Sequence, residues 1–302
     1  MIYDVVVVGG GPAGLQAALT LGRARKHVLL CHAGPPRNAA AHQLHNFVTR
    51  DGIAPAEFRA LAREQLTPYP NVEQRDFRVR AIEGTQSDFV LEGDGAVVRA
   101  RRVLLTMGMI DELPPIAGLA ERWGHSVFQC PYCHAWEIQE GHFGVLADSE
   151  MMLEFSMFLR GWSRSVVAYT NAAVTPSAEL IARLESAGVH LETAKLLRLG
   201  GLAPSLEQVE LEDGRLLRCD ALFARPPQRQ PDLVNALGLK LDTMGFVQVD
   251  EQQQSSVAGI YVAGDMLTPR QSAVTAASSG MMAAAMLNHT LTLEQLARSE
   301  LR

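Results

Sequence analysis

The chain has 302 residues, 47% of them hydrophobic and 20% charged, the balance of a soluble globular protein with length for two domains. A net charge of -6, with no Lys/Arg cluster to offset it, excludes the basic field that a nucleic-acid surface needs. No run of ~18 apolar residues is available to span a bilayer, and the opening "MIYDVVVVGGG" lacks the charged start and apolar stretch of a secretory signal, so a cytoplasmic protein is expected.

"YDVVVVG" is a strand-length run of β-branched valines, "GPAGLQAALTLGRAR" has helical apolar spacing, and "HVLLCH" is the next strand. Between the first two lies "GGGPAG", which satisfies G-x-G-x-x-G through Gly9, Gly11 and Gly14. Placed directly after a strand and opening a helix, it reads as a dinucleotide cradle: Gly9 permits the tight turn, Gly11 the approach of a pyrophosphate, and Gly14 the close packing of helix on sheet. The second strand normally ends on an Asp or Glu for the ribose. Here Cys31 and His32 stand there, and His32 is the residue left to bind a hydroxyl. An amphipathic helix follows over Pro55 to Leu66, then short alternating strands at "DFRVRAI", "DFVLEG", "AVVRA" and "RVLLTM", a small antiparallel meander before a return strand.

"DELPPIAGL" is a Pro-punctuated linker, and "CPYCH", Cys130 to His134, lies beyond it. A second α/β pattern succeeds it: strands at "HFGVLA" and "SVVAYT", helices at "EMMLEFSMFLRGW" and "SAELIARLESAG", and a hairpin turning at Asp213-Gly214. "RPPQRQP" is the second linker. "GFVQVD" and "GIYVAGD" read as strands, and "QSAVTAASSGMMAAAMLNH" as a long helix whose methionines fill core space.

"CPYCH" fits both a haem c attachment site and a redox dithiol. The missing export signal disfavours haem c. Zinc would need two further ligands, and there is no second C-x-x-C and no H-x-x-x-H. A redox dithiol is the reading that survives, because four cysteines in a reducing compartment are too few for a disulfide scaffold. Cys31 and Cys219 stand alone and read as small buried hydrophobes.

"DVVVVGGGPAGLQAA", the central C-x-x-C and "SSVAGIYVAGDMLTPRQSAVTAASSG" occur in the order found in low-molecular-weight thioredoxin reductases, and the resemblance covers essentially the whole chain. It implies an α/β fold of two Rossmann-like domains of the three-layer ββα type, the second inserted into the first, with a small antiparallel meander in each. Residues 1–113 and 230–302 would form the FAD-binding domain, and 114–229 the nicotinamide-nucleotide-type domain carrying the dithiol. The resemblance also implies a homodimer and rotation of the domains during turnover. For FAD it points to Gly9, Gly11, Pro12, Ala13, Gly14, His32, Arg37, Asn46, Val79, Gly108, Gly264, Asp265, Arg270, Gln271 and Ser272. Asp265 matches the carboxylate that holds the ribityl chain, and Arg270-Gln271-Ser272 the segment beside the flavin ring. The helix starting near Gln271 would aim its N-terminus at the pyrimidine edge.

"CPYCHAWE" resembles the C-P-x-C-H-G segment of the thioredoxin-reductase-like sulfhydryl oxidases that include the fungal enzymes closing the disulfide of gliotoxin. By that analogy Cys133 faces the flavin, Cys130 exchanges with substrate, and His134 takes the proton-handling role that reductases give to an acid. Pro131 in a first helical turn would put Cys130 at a helix N-terminus, where a thiolate is stabilised. Where reductases have G-G-G-D-S-A for the second nucleotide, this chain has Ala147, Asp148, Ser149, Glu150, Met151 and Met152. No glycine remains there and two carboxylates stand at the phosphate position, which argues against NADPH binding in the family's manner. The expectation is an FAD-dependent dithiol oxidase passing electrons to O₂. The alternatives are a disulfide reductase fed by NAD(P)H or another donor such as a ferredoxin, and a non-catalytic flavoprotein sensor. The substrate is a dithiol or disulfide, small molecule or thioredoxin-like protein; neither a metal nor a membrane is called for.

Overall fold

A computed structural model describes residues 2–298. The chain divides into two compact units, residues 1–39, 53–110 and 228–302 in the first and residues 40–52 and 111–227 in the second. Residues 40–52 were expected in the first domain, but the segment packs with the second unit.

The first unit begins with β1 (Ile2–Val8), α1 (Pro12–Arg23), β2 (Val28–His32), α2 (Pro55–Glu64) and β3 (Val72–Asp76), and continues with β4 (Ala81–Thr85), β5 (Asp88–Gly93) and β6 (Ala96–Leu105). Its sheet runs in the order β3-β2-β1-β6-β5-β4. β1 lies parallel between β2 and β6. The valine run of β1 alternates between two cores, as a strand buried on both faces must. Val6 and Val8 join one cluster with Leu29 and Val103, and Val5 and Val7 join another with Ala17 and Leu287.

"AVVRA" and "RVLLTM" are one strand, not two. The first half of β6 pairs antiparallel with β5 and its second half parallel with β1, so a single ten-residue strand joins the meander to the Rossmann sheet. "DFRVRAI" is displaced as well. Val72–Asp76 pairs parallel with β2, and the antiparallel ladder starts only at Ala81.

The chain leaves by the two-residue strand β7 (Ile110–Asp111) and enters the second unit. This contains β8 (Val127–Phe128), α3 (Pro131–His134), β9 (His142–Leu146), α4 (Glu150–Phe158), β10 (Ser165–Tyr169), α5 (Ala178–Ser186) and β11 (Val189–Glu192). The hairpin unit β12 (Leu196–Gly200), β13 (Gln208–Leu211) and β14 (Leu216–Arg218) follows, then β15 (Ala221–Phe223). The parallel sheet β11-β10-β9-β15-β8 is accompanied by a separate antiparallel sheet β12-β13-β14, unlike the first unit, where the meander continues the main sheet. The return through β16 (Gln228–Arg229) leads to α6 (Asp232–Ala236), β17 (Ile260–Val262) and α7 (Ala273–Ala297), and β17 pairs with β6.

Two expectations fail in this last stretch. "GFVQVD" forms no strand: Val247 and Val249 make isolated bridges to the neighbouring Leu241 and Ser255. Met281 and Met282 are not core filler, being 43% and 45% exposed. The face of α7 that packs inward is made of small residues. A Cβ on Gly280 would lie 2.1 Å from the Ala13 carbonyl oxygen, so α7 approaches α1 backbone to backbone there, with Met281 and Met282 turned outward and Leu287 and Leu291 buried further along the helix.

Candidate functional site

In the first unit, β1 delivers the chain to a turn that only glycine can make. Gly9 has φ +124°, and a Cβ there would meet the Thr106 carbonyl oxygen at 2.4 Å. Thr106 Oγ1 donates to the carbonyls of Val8 and Gly9, fixing the turn. A Cβ on Gly14 would lie 1.8 Å from Gly9 O, whereas one on Gly11 would meet nothing within 4 Å. The open space therefore lies at Gly11, the N-cap of α1. That helix has no side-chain cap and no acidic residue in its first turn, so its first N–H groups and its positive dipole end are available to an anion. The cradle fits the pyrophosphate of FAD.

His32, at the end of β2, is tied to Asp76 with Nε2 2.6 Å from Oδ1, and Arg63 lies against the same ring nitrogen. Burial and the neighbouring Arg63 lower its pKa, so a neutral, two-sided imidazole stands where the ribose acid is normally found. Arg63 and Asp76 carry no sequence signal of this role.

Arg37 donates from Nη1 to Asp265 Oδ2 at 3.0 Å and to Gln271 Oε1 at 2.6 Å, which brings three of the expected flavin residues together. Gln271 also exchanges amide hydrogen bonds with Gln228, a partner the sequence did not flag. Gly264, with φ +86°, precedes Asp265. Ser272 caps α7 by accepting from the Thr275 amide, so this helix N-terminus has one of its donors satisfied by its own chain. Arg270 is exposed, Val79 is half-buried against the core of the first unit, and Gly108 has φ +72°. Asn46, with φ +62°, belongs to the segment that packs with the second unit and receives its backbone anchor from Asp51.

In the second unit, Cys130 is the N-cap of α3 and Pro131 opens the helix. Both cysteines of the pair are free thiols. The hydrogen bond from Cys133 pulls the Cys130 thiol down to about 7 against the burial that would raise it, with help from the Cys133 and Tyr132 amides and the charge of Arg225. Cys133, donating to that sulfur and buried, is pushed up. Cys130 is therefore the first thiol of the reduced pair to ionise.

His134 stacks on Phe128 with ring centroids 4.3 Å apart. Burial, reinforced by the charge of His45, lowers its pKa to about 4. It is a neutral imidazole at pH 7, not the half-titrated group that an unperturbed value implies. His45 in turn lies 3.3 Å from Glu137 Oε1, and Glu137 contributes to raising Cys133. Tyr132 and Trp136 flank the helix and are exposed.

β9 leads to the second unit's counterpart of the cradle. Ala147 is buried, and Ser149 is the N-cap of α4 without a side-chain cap bond. Asp148 accepts from Ser149 Oγ at 3.2 Å, and Glu150 occupies the first turn. The end of β10 is followed by Thr170, Asn171 and Ala172 with no arginine, and Asn171 Oδ1 is used by the Leu196 amide. Cys31 and Cys219 are buried with pKa values raised to about 12 by desolvation, so they are inert packing thiols. Among the described residues, no cluster of three or more His, Cys, Asp or Glu side chains could hold a metal ion and no helix is long and apolar enough to cross a membrane.

The chain belongs to the pyridine nucleotide-disulphide oxidoreductase family, whose model matches residues 3–280. Within that family it is of the thioredoxin reductase type, an FAD-dependent disulfide oxidoreductase. The thioredoxin reductase tcpT of Claviceps purpurea is 32% identical over 96% of this chain and 94% of its own length. The thioredoxin reductase sirT of Leptosphaeria maculans is 30% identical over 99% and 98%. Among solved structures, an oxidoreductase from Agrobacterium tumefaciens is 39% identical and superposes with a TM-score of 0.91, covering 97% of this chain and 99% of that one. HlmI is 32% identical with a TM-score of 0.92, over 99% and 95%.

Proposed function

We propose that this chain oxidises a substrate dithiol, forming a substrate disulfide and reducing Cys130–Cys133. The observation that carries this reading is the second cradle, where Asp148 and Glu150 stand at the N-terminus of α4 in place of a glycine turn. Two carboxylates repel a nucleotide phosphate at the point where the helix dipole would attract it. Electrons from NADPH therefore have no seat, and the thiol side is left as their source.

In the substrate half of the reaction, one substrate thiolate attacks Cys130 Sγ of the oxidised pair, breaking the Cys130–Cys133 bond and releasing Cys133. The second substrate thiolate then attacks the substrate sulfur of the mixed disulfide, expelling Cys130. Its lowered pKa makes Cys130 the better leaving group of the pair, and the raised value of Cys133 returns a proton to that sulfur. His134, stacked on Phe128 and with its pKa lowered to about 4 by burial, is too weak a base to take the proton of an incoming thiol at neutral pH. FAD supplies a two-electron acceptor for the dithiol and a route from there to dioxygen.

On this reading the first unit is the FAD-binding domain, holding the cofactor through Gly9, Gly11, Pro12, Ala13, Gly14, His32, Arg37, Val79, Gly108, Gly264, Asp265, Arg270, Gln271 and Ser272. The second unit is the dithiol domain. The protein works in the cytoplasm as a homodimer. Exposed Met281, Met282, Leu293 and Leu296 on α7 support an apolar contact with a second copy.

The printed names of its relatives favour a second reading, a disulfide reductase fed by NAD(P)H or another donor such as a ferredoxin. One experiment separates them. The flavin-loaded protein is mixed anaerobically with a dithiol or with NADPH, and the visible flavin absorbance is followed. Bleaching by the dithiol, with recovery and peroxide when air is admitted, is expected. Rapid bleaching by NADPH overturns the oxidase reading. Cys133→Ser should abolish the bleaching by dithiol.

A further inference from the structure

The anion of the reduced pair needs a fixed reason to sit on Cys130 and stay there, and the strand register of the second unit supplies one. β15 runs parallel to β8 with Leu222 opposite Val127 and Phe223 opposite Phe128, and the Ala224 amide donates to the Phe128 carbonyl at 2.8 Å. Continued past the strand ends, this register sets Arg225 alongside Cys130. Pro226 and Pro227 follow directly, which holds Arg225 in extended backbone and fixes where its side chain leaves. The guanidinium lies over the Phe155 ring of α4, 5.2 Å from its centroid. Phe155 is itself packed on Phe223 at 6.4 Å, and Phe223 on Phe128 at 6.0 Å. A rack of three aromatic rings thus spans from the cation to the strand that delivers the dithiol.

We propose that Arg225, seated on Phe155, is a positioning residue that keeps a permanent positive charge beside Cys130 and so assigns the thiolate to the sulfur that exchanges with substrate. The proposal rests on the reading above in taking Cys130 as the exchanging sulfur. The hydrogen bond from Cys133 is the largest influence that favours the charge on Cys130, and Arg225 adds to it as a fixed full charge. Cys133 and the amides of Tyr132 and Cys133 are neutral donors to Cys130. Glu137 raises Cys133 and so turns the charge away from that sulfur, but it offers no attraction to a thiolate on Cys130. His134 is held uncharged by burial, and His45 acts on His134. Arg225 is the cation that acts on Cys130. Its exposed position makes the effect moderate and salt-dependent, as for charges in partial contact with water.

The test uses the full-length reduced protein and reads thiolate formation, without turnover or oxygen. Alkylation by iodoacetamide is measured against pH, with the modified cysteine identified by peptide mass spectrometry. Arg225→Met should move the alkylation midpoint of Cys130 upward and lower its rate at pH 7 by about three- to tenfold. Arg225→Lys should restore part of the loss, and Phe155→Leu should give a smaller change in the same direction with flavin content unaltered. An unchanged midpoint in Arg225→Met, or equal losses in the Met and Lys variants, overturns the proposal. Alkylation falling mainly on Cys133 in the wild type overturns the assignment of the exchanging sulfur instead, whatever the flavin does in the bleaching experiment.

Discussion

The two units make the same strand-to-helix turn from opposite chemistry. At the end of β1 the turn is bare: Gly11 faces open space and the first turn of α1 holds no acid. At the end of β9 it is furnished: Ala147 is buried, Asp148 and Glu150 bracket the Ser149 N-cap, and buried Met152 stands three residues on. Both turns support a parallel sheet, but by different means: close packing requires Gly9 and Gly14 in the first, whereas the second is built without them, and of the three glycines only Gly11 faces open space. What the glycines make is room and sign for a phosphate, and the second unit has given up both. The comparison teaches that the same sheet can be closed by a bare turn or a furnished one, and the furnished one lies in the unit that presents α3 and the dithiol.

The sharpest way to break this contrast is to fill the first turn. A Cβ on Gly14 already lies 1.8 Å from the Gly9 carbonyl oxygen, so Gly14→Val has to drive α1 away from the sheet. A loss of more than about 3 kcal/mol in denaturant unfolding, with little flavin in the purified protein, is expected. The corresponding position of the second unit already carries a side chain. Met152→Val there should cost less than about 2 kcal/mol and leave the flavin content unchanged. Equal losses at the two positions would mean that the turns are not different in kind.

The first of these turns was legible in the sequence because its requirements are local. A run of four valines, three spaced glycines and a helix signal sit within one short stretch, and each is forced by a contact with its neighbours. The absence of the second cradle was legible for the same reason. Other features depend on partners far along the chain. "AVVRA" and "RVLLTM" looked like two strands because alternation changes at Arg101-Arg102, yet one strand serves two ladders. Met281 and Met282 looked like core because helical spacing does not say which face turns inward. The choice is made by Gly280 against Ala13, a contact between opposite ends of the chain. Asp76 beside His32 and Arg225 beside Cys130 are placed by parallel registers, and Arg63 by the docking of α2, none of which a local pattern encodes. The unperturbed imidazole expected at His134 failed for the same reason, since the ring that buries it, Phe128, belongs to a strand whose depth the sequence does not show.

That burial gives the second unit an acid weakness. In the folded protein His134 protonates only near pH 4, whereas in the unfolded chain it does so near ~6.5. Between those values the unfolded state binds more protons, so stability falls as pH drops through the window, by at most about 3 kcal/mol from this group. His134→Phe, which keeps a ring against Phe128, should flatten the fall in urea midpoint between pH 6.5 and 4. Some slope should remain, because His32 and His125 are depressed in the same direction. A variant with an undiminished slope would show that His134 is charged when folded, and would return it to the role its sequence position suggested.

The smallest effect sharpens the comparison directly, by removing sign without adding room. Asp148→Asn with Glu150→Gln discharges the N-terminus of α4 while leaving Ala147 and Met152 in place. Each charge at a helix N-terminus facing a phosphate is worth about 0.3–1 kcal/mol, so affinity for NADPH should rise by roughly three- to thirtyfold from a weak baseline, read by isothermal titration. It should not reach tight binding, because no glycine admits the pyrophosphate to the backbone amides. If the discharged variant binds tightly, repulsion alone had closed the site and the missing glycines were incidental. If it gains nothing, lack of room dominates, and the carboxylates at the turn only mark a site already lost to sterics.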